Sequence, residues 1–323
     1  MTSDPVIRTA DLHKTFGSGA NEVHALAGID LEIESGTVFG LLGHNGSGKT
    51  TLIRILSTLT TPSAGRAWVA GTDVGTEPAR VRQLIRVTAQ DTTLDERLSG
   101  RENLDVLGRL QRLSPAAAKA RATELLEHFG IAAAGDRPVR SWSGGMRRRL
   151  DIASSLIRVP RLLFLDEPTT GLDPASRSAV WSIIAGLPAM GTSVFLTTQC
   201  LEEADRLADR VAVLESGTVI AEGTPTHLKA RIGRRLTVAL AGDSTDSGAA
   251  GDVLRGLGVT QVRPDAASDD GLLRLTGVVA SAGPALPQVL RELTSAGCPV
   301  ADIGMHEPTL DEAYLSLIGG HAA

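Results

Sequence analysis

The stretch LLGHNGSGKTT, residues 41–51, constrains the fold of this 323-residue chain more than any other. It fits G-x-x-x-x-G-K-[ST] through Gly43, Gly48, Lys49 and Thr50, the pattern of a loop that wraps phosphates. Gly43, Gly46 and Gly48 let the backbone turn tightly and aim its N–H groups at an anion. Lys49 can reach terminal phosphates as a point charge, and the Thr50 hydroxyl is placed to ligate Mg²⁺. Val38 to Leu42 is a short apolar run of the kind that is buried on both faces of a sheet. After the loop, Leu52, Ile55, Leu56 and Leu59 recur at helical spacing. Strand, loop and helix stand in the order that lets a helix N-terminus add its partial positive charge to the anion site.

The rest of the first two thirds alternates between strands and helices. Residues 6–33 read as strands, with Ala25, Ala27, Ile29, Leu31 and Ile33 alternating with more polar neighbours. Phe16 is either a stacking platform for a base or a core residue. Residues 101–130 are helical by pattern, with Ser114-Pro115 as a helix start. Ser143-Gly144-Gly145 precedes a helical stretch; Ser143 is a helix cap or part of a second anion site. Arg147, Arg148 and Arg149 read as a solvated face. Leu162 to Leu165 is an apolar strand ending in Asp166-Glu167, which in the company of a phosphate loop suits a Mg²⁺-associated Asp and a water-orienting Glu. Asp173-Pro174 opens a helix, so Asp173 is at least its cap. A further buried strand ends at Thr198-Gln199. Gln90 closes an extended segment beside a polar stretch and is otherwise a solvated loop residue. This alternation argues a largely parallel sheet covered on both faces, with the chemistry at the carboxyl ends of the strands.

Beyond Thr226 the character changes. Residues 232–323 hold six Arg and no Lys against eleven Asp and Glu, so they carry the whole net charge of −5. Their order of strands and helices is of the ferredoxin-like type, a small α+β domain without a catalytic constellation. The net charge and an aromatic content of 3% argue against a nucleic-acid surface. No apolar run is long enough for a membrane span, the N-terminus lacks a secretory pattern, and Cys200 and Cys298 have no metal-ligand spacing.

Together these motifs resemble the ATP-binding cassette ATPases over about residues 6–225. SGGMRRRLDIA, FLDEPTTGLDP and LTTQ are similar to the drug-exporter branch, near the daunorubicin/doxorubicin resistance ATPases, and EPTLDEAYL (307–315) is similar to the end of subunits that serve ABC-2-type permeases. The resemblance implies an α/β P-loop NTPase with a RecA-like core and antiparallel β and α-helical subdomains, plus the small α+β domain. It implies an ATP-binding domain over 1–226 with a helical part at about 91–158, a linker at 227–234 and an accessory domain over 235–323.

For the site it implies ATP held by Phe16, Gly43, Asn45, Gly46, Ser47, Gly48, Lys49, Thr50, Thr51 and Gln90, completed by Ser143, Gly144, Gly145 and Asp173. Mg²⁺ falls to Thr50, Gln90 and Asp166, and catalysis to Glu167 and Gln199. The partners implied are a second copy, head to tail, and separate transmembrane permease subunits, at the cytoplasmic face of the membrane. The drug-export reading stands against a cassette ATPase of translation or DNA repair, which usually has two cassettes or a long coiled coil. A GTPase or nucleotide kinase would leave Ser-Gly-Gly and DEPTTGLD unexplained. Two positions depart from the family pattern: Met146 where Gln is commoner, and Gln199 in place of the switch histidine.

Overall fold

The structure, a computed structural model, describes residues 4–88, 94–241, 247–265, 272–280 and 282–321. It divides into two compact units, Met1–Gly223 and Thr224–Ala323.

In the first unit the antiparallel strands β1 (Ile7–Phe16), β2 (Val23–Ile33), β4 (Ala64–Val69) and β5 (Thr72–Asp73) form one sheet, ordered β2-β1-β4-β5. The second sheet is built from β3 (Val38–Leu42), β6 (Ile85–Thr88), β7 (Leu162–Asp166), β8 (Ser193–Thr198), β9 (Arg210–Glu215) and β10 (Thr218–Gly223), ordered β10-β9-β3-β8-β7-β6. Strands β9, β3, β8, β7 and β6 run parallel and β10 turns back on β9. Every residue of β3 is buried, as expected of a strand covered on both faces. One side packs with the small sheet around α1 (Lys49–Leu56), and α2 (Pro78–Leu84) adds Val81 there. The other side packs a helical layer made of α3 (Gly100–Leu110), α4 (Pro115–His128), α5 (Gly144–Ser155) and α6 (Pro174–Gly186), while α7 (Leu201–Leu207) contributes Leu207. Among the described residues no helix is long and apolar enough to cross a membrane.

The second unit begins with α8 (Pro225–Ala230). It continues through β11 (Arg234–Leu240), α9 (Ser247–Gly256), β12 (Thr260–Asp265), β13 (Leu273–Val279), α10 (Leu286–Ser295), β14 (Val300–His306) and α11 (Leu310–His321). Its antiparallel sheet is ordered β12-β13-β11-β14 and shares a core with α9 and α10 through Ala250, Leu254, Val289 and Leu293.

The first half of the stretch expected to be a linker, 227–234, is helical because Thr224 caps α8, accepting from the His227 N–H at 3.0 Å, with Pro225 preset at the first helical position. Two sequence expectations are corrected. Leu59 is outside the α1 stripe and 65% exposed, since α1 ends at Leu56 and Thr58 turns at φ +64°. The alternation read from Ala25 to Ile33 holds only from Ile29. Gly28, at φ +84°, is skipped between the pairs Leu12↔Ile29 and His13↔Ala27, which turns Leu26 rather than Ala27 into the core.

Candidate active site

The phosphate-type loop leaves buried β3 and ends at Gly48, whose φ of +111° is open to glycine alone. Its chain closes on itself through the Ser47 N–H donating to the His44 carbonyl at 3.2 Å. Lys49 is 6% exposed and its Nζ donates to the carbonyls of Gly43 at 2.7 Å and His44 at 3.0 Å. Burial lowers its pKa from the ordinary value, and the charges of Glu167 and Asp166 oppose that shift. The lysine is therefore set in the field of the two carboxylates that the sequence placed at the end of β7. Thr50 is exposed and Thr51 half-buried at the start of α1, where the first-turn N–H groups have no partner within the helix. The Ser47 hydroxyl is buried under the loop, and its main-chain carbonyl accepts from the Gly217 N–H at 3.0 Å.

Opposite the loop, Asp166 accepts a hydrogen bond from the Thr197 hydroxyl of β8. Glu167 follows with φ +46°, a left-handed conformation that is uncommon outside glycine, and its N–H donates to the Thr197 carbonyl at 3.0 Å. Gln199 joins the two halves. Its amide nitrogen donates to Glu167 Oε1 at 2.6 Å and to Asn45 Oδ1 at 2.9 Å, so one side chain spans from the catalytic candidate to the loop. Loop, acids and glutamine thus converge where parallel strands β3, β7 and β8 end. Oxygen donors from Thr50 and Asp166 suit a hard cation such as Mg²⁺ that keeps water and phosphate in its remaining positions. Among the described residues no group of three or more His, Cys, Asp or Glu is placed to hold a metal ion.

The remaining candidates are arranged differently. The Phe16 ring is 45% exposed with Lys14 Nζ 4.9 Å from its centroid, which settles it as a surface ring and not a core one. Ser143 is exposed and caps α5, accepting from the Met146 N–H at 3.3 Å. Gly144 is exposed and Gly145 buried. A Cβ on Gly145 would lie 2.3 Å from Ser176 Oγ, so α5 approaches α6 too closely for any side chain there. Gly144 and Arg147 share a groove of about 430 Å³ with Glu167, Thr170 and Gly171. Asp173 caps α6 through the Ser176 N–H at 2.9 Å, which holds its carboxyl below the usual range. Met146 packs partly buried against the helical core. Gln90 lies outside the described residues.

The arginines after the Ser-Gly-Gly loop are not the solvated face expected of them. Arg147 pairs with Glu96 at 3.1 Å and Arg149 donates to the carbonyls of Phe129 and Gly130. Arg148 is 9% exposed, pairs with Asp151 at 3.1 Å and donates to main-chain carbonyls at the end of β7. Sequence reading also passed over Glu203, 1% exposed on α7, which accepts from the Thr169 hydroxyl at 2.7 Å and the Trp181 indole at 3.0 Å. Neither carries a clear signal in the pattern: Arg148 has Gly144, Gly145 and Asp151 at helical spacing, and Glu203 has Arg206.

Residues 26–170 match the family described as ABC transporter. The chain is 48% identical to the daunorubicin resistance ATP-binding protein DrrA3 of Streptomyces coeruleorubidus, covering 98% of this chain and 97% of that one. It is 43% identical to the doxorubicin resistance ATP-binding protein DrrA of Mycobacterium tuberculosis, over 97% of this chain and 94% of that one. Among solved structures it is similar to cbiO1 of Clostridium perfringens, part of the ABC transporter complex cbiONQ, with a TM-score of 0.65 and 27% identity, covering 71% and 92% of the two chains.

Proposed function

This chain belongs to the ATP-binding proteins of ABC transporters, in the daunorubicin/doxorubicin resistance group, and from that premise we propose that it hydrolyses ATP to drive efflux of a hydrophobic compound through separate permease subunits. The observation that carries the mechanism is the Gln199 bridge between Asn45 and Glu167. Glu167 is the group that polarises a water, accepting its proton as the water attacks the γ-phosphorus while the bond from that phosphorus to the β–γ bridging oxygen breaks and ADP leaves. Gln199 positions without titrating, because an amide has no proton to exchange in the physiological range. It fixes the Glu167 carboxylate relative to the loop that holds the phosphates, a task of orientation. Lys49 lies across the loop at the carbonyls of Gly43 and His44 and turns to the β- and γ-phosphates when ATP enters. Thr50 and Asp166 would hold Mg²⁺, which supplies charge neutralisation on those phosphates.

In this reading Ser143, Gly144 and Gly145 serve the ATP of a second copy, head to tail, and not that of their own chain. Their support is the exposed N-terminus of α5, an anion-binding end with Ser143 as its cap. The second copy would reach the groove that Gly144 shares with Glu167 and Thr170. The near-full-length likeness to drug-resistance ATP-binding proteins supports transport over a role in translation or repair, and the membership of cbiO1 in a transporter complex supports a permease partner at the cytoplasmic face of the membrane. The boundary after Gly223 supports an accessory role for the remainder.

Glu167→Gln tests the core of the proposal. Steady-state hydrolysis should fall by about a hundredfold or more while ATP binding, read by nucleotide retention, is kept. Undiminished turnover would reject Glu167 as the hydrolytic base. Recovery of a multi-span membrane protein with the tagged chain from detergent-solubilised membranes tests the export half.

A further inference from the structure

Between β7 and α6 the chain runs through Asp166, Glu167, Pro168, Thr169 and Thr170, and a single guanidinium reaches across it from α5. Arg148 Nε donates to the Pro168 carbonyl at 2.8 Å and Nη2 to the Asp166 carbonyl at 3.3 Å, while Nη1 pairs with Asp151 Oδ2 at 3.1 Å. The two carbonyls it holds are the ones on either side of Glu167. That residue sits at φ +46°, a conformation that persists only where the surroundings enforce it. Arg148 supplies such an enforcement, because its planar fork fixes two acceptors relative to each other in a way that a single ammonium cannot.

The pair is expensive for the fold. Burial lowers the pKa of Arg148, and burial raises the Asp151 carboxyl from 3.8 to about 6 in spite of the arginine beside it. Both members are therefore disfavoured in their charged forms, and an apolar pair of the same volume would serve stability equally well or better. A charge kept under those terms points to a use for its geometry. Arg148 also stands only five residues after Ser143, less than two turns into the helix whose N-terminus faces outward.

We propose that Arg148 is a positioning residue for Glu167, tying the Ser143–Gly145 end of α5 to the hydrolytic carboxylate of the same chain. This role for Arg148 rests on the head-to-tail reading above. When the α5 end of one chain closes on a neighbour's ATP, the shift of α5 is passed by the guanidinium to the Asp166–Pro168 main chain. Each chain's own Glu167 is then aligned by the nucleotide in the other site. The device makes hydrolysis cooperative without a direct contact between the two ATP molecules.

The test uses the full chain with Mg-ATP and three variants. Arg148→Lys keeps the charge and loses the fork. Arg148→Met with Asp151→Leu removes the charges and keeps the volume, guarding against failure to fold. Asp151→Asn leaves an acceptor for Nη1. The first two should lose about tenfold or more in kcat with the KM for ATP changed less than about twofold, and their Hill coefficient should fall to unity. Asp151→Asn should retain most of kcat and the cooperativity. A purely structural role would lower the folded fraction without changing the Hill coefficient of the folded protein. Wild-type kcat and cooperativity in folded Arg148→Lys would overturn the clamp alone. A wild-type chain that does not hydrolyse ATP, or does so without cooperativity, would overturn the head-to-tail reading and the clamp with it.

Discussion

Asp151 shows what a buried charge does to a chain that must also stay folded. Its carboxyl is 5% exposed, and burial raises its pKa from 3.8 to about 6, with Arg148 pulling the other way. Below about pH 4 the group is protonated both folded and unfolded and contributes nothing. Between about 4 and 6 the folded state holds a proton that the unfolded state has released, so this group's contribution to stability falls as pH rises through that window and levels off above it. Moving the carboxyl from 3.8 to about 6 is worth roughly 3 kcal/mol over the whole range. The expected outcome concerns Asp151→Asn compared with wild type: the difference in unfolding free energy moves in the variant's favour from pH 4 to pH 7, by up to about 3 kcal/mol. Urea unfolding at several pH values measures it, and a pH-independent difference would show that the carboxyl titrates normally in the fold. At this scale the sequence pointed to Asp166 and Glu167 because two adjacent acids follow a phosphate-type loop, and in the structure both act electrostatically on Lys49. Arg148 was illegible because three consecutive arginines on a helix look alike in a pattern, and only the neighbouring β7 main chain distinguishes the one turned inward.

Elements were legible wherever periodicity and end signals agreed. The run VFGLL gave β3, and Ser114-Pro115 gave the start of α4, where Ser114 does accept from the Ala117 N–H. The failures share a cause, a change of backbone conformation that sequence spacing does not record. Gly28 shifts the phase of β2, and Thr58 ends the helix before Leu59. Helix-to-helix distance is likewise invisible in sequence, and α5 depends on it. The missing Cβ of Gly145 is what lets α5 meet Ser176 on α6, where an added carbon would stand 2.5 Å from the Ser176 Cβ. Gly145→Ala should therefore destabilise the first unit by about 1–3 kcal/mol through overpacking, despite alanine's better helix propensity. Adding Ser176→Gly removes the obstructing atoms and should return a part of that loss. A lower urea midpoint for Gly145→Ala and its partial recovery in the double variant are the measurement; an unchanged midpoint for the single variant would mean that α5 and α6 can separate freely.

At the scale of the whole molecule the question is how many chains make one active site. On the proposed reading the loop at 43–50 binds phosphate and Glu167 with Gln199 orients the water, while among the described residues the exposed Ser143 side chain closes α5. A site completed by a second copy has a kinetic consequence that an internally complete site lacks. Where chains are mostly monomeric, the number of complete sites grows as the square of chain concentration, so turnover per chain rises in proportion to concentration and levels off once pairing is full. With saturating Mg-ATP, specific activity should thus climb over a dilution series and plateau. Glu167→Gln should move the chain to dimer size on gel filtration in ATP, because binding persists when hydrolysis does not. Ser143→Asp places a carboxylate where the neighbour's γ-phosphate would sit. It should abolish both the plateau activity and the ATP-dependent dimer by like-charge repulsion, yet leave ATP binding by the monomer intact. Specific activity independent of concentration, in a preparation shown by light scattering to be monomeric, would mean that one chain carries a complete site and that Ser143 is an N-cap and nothing more.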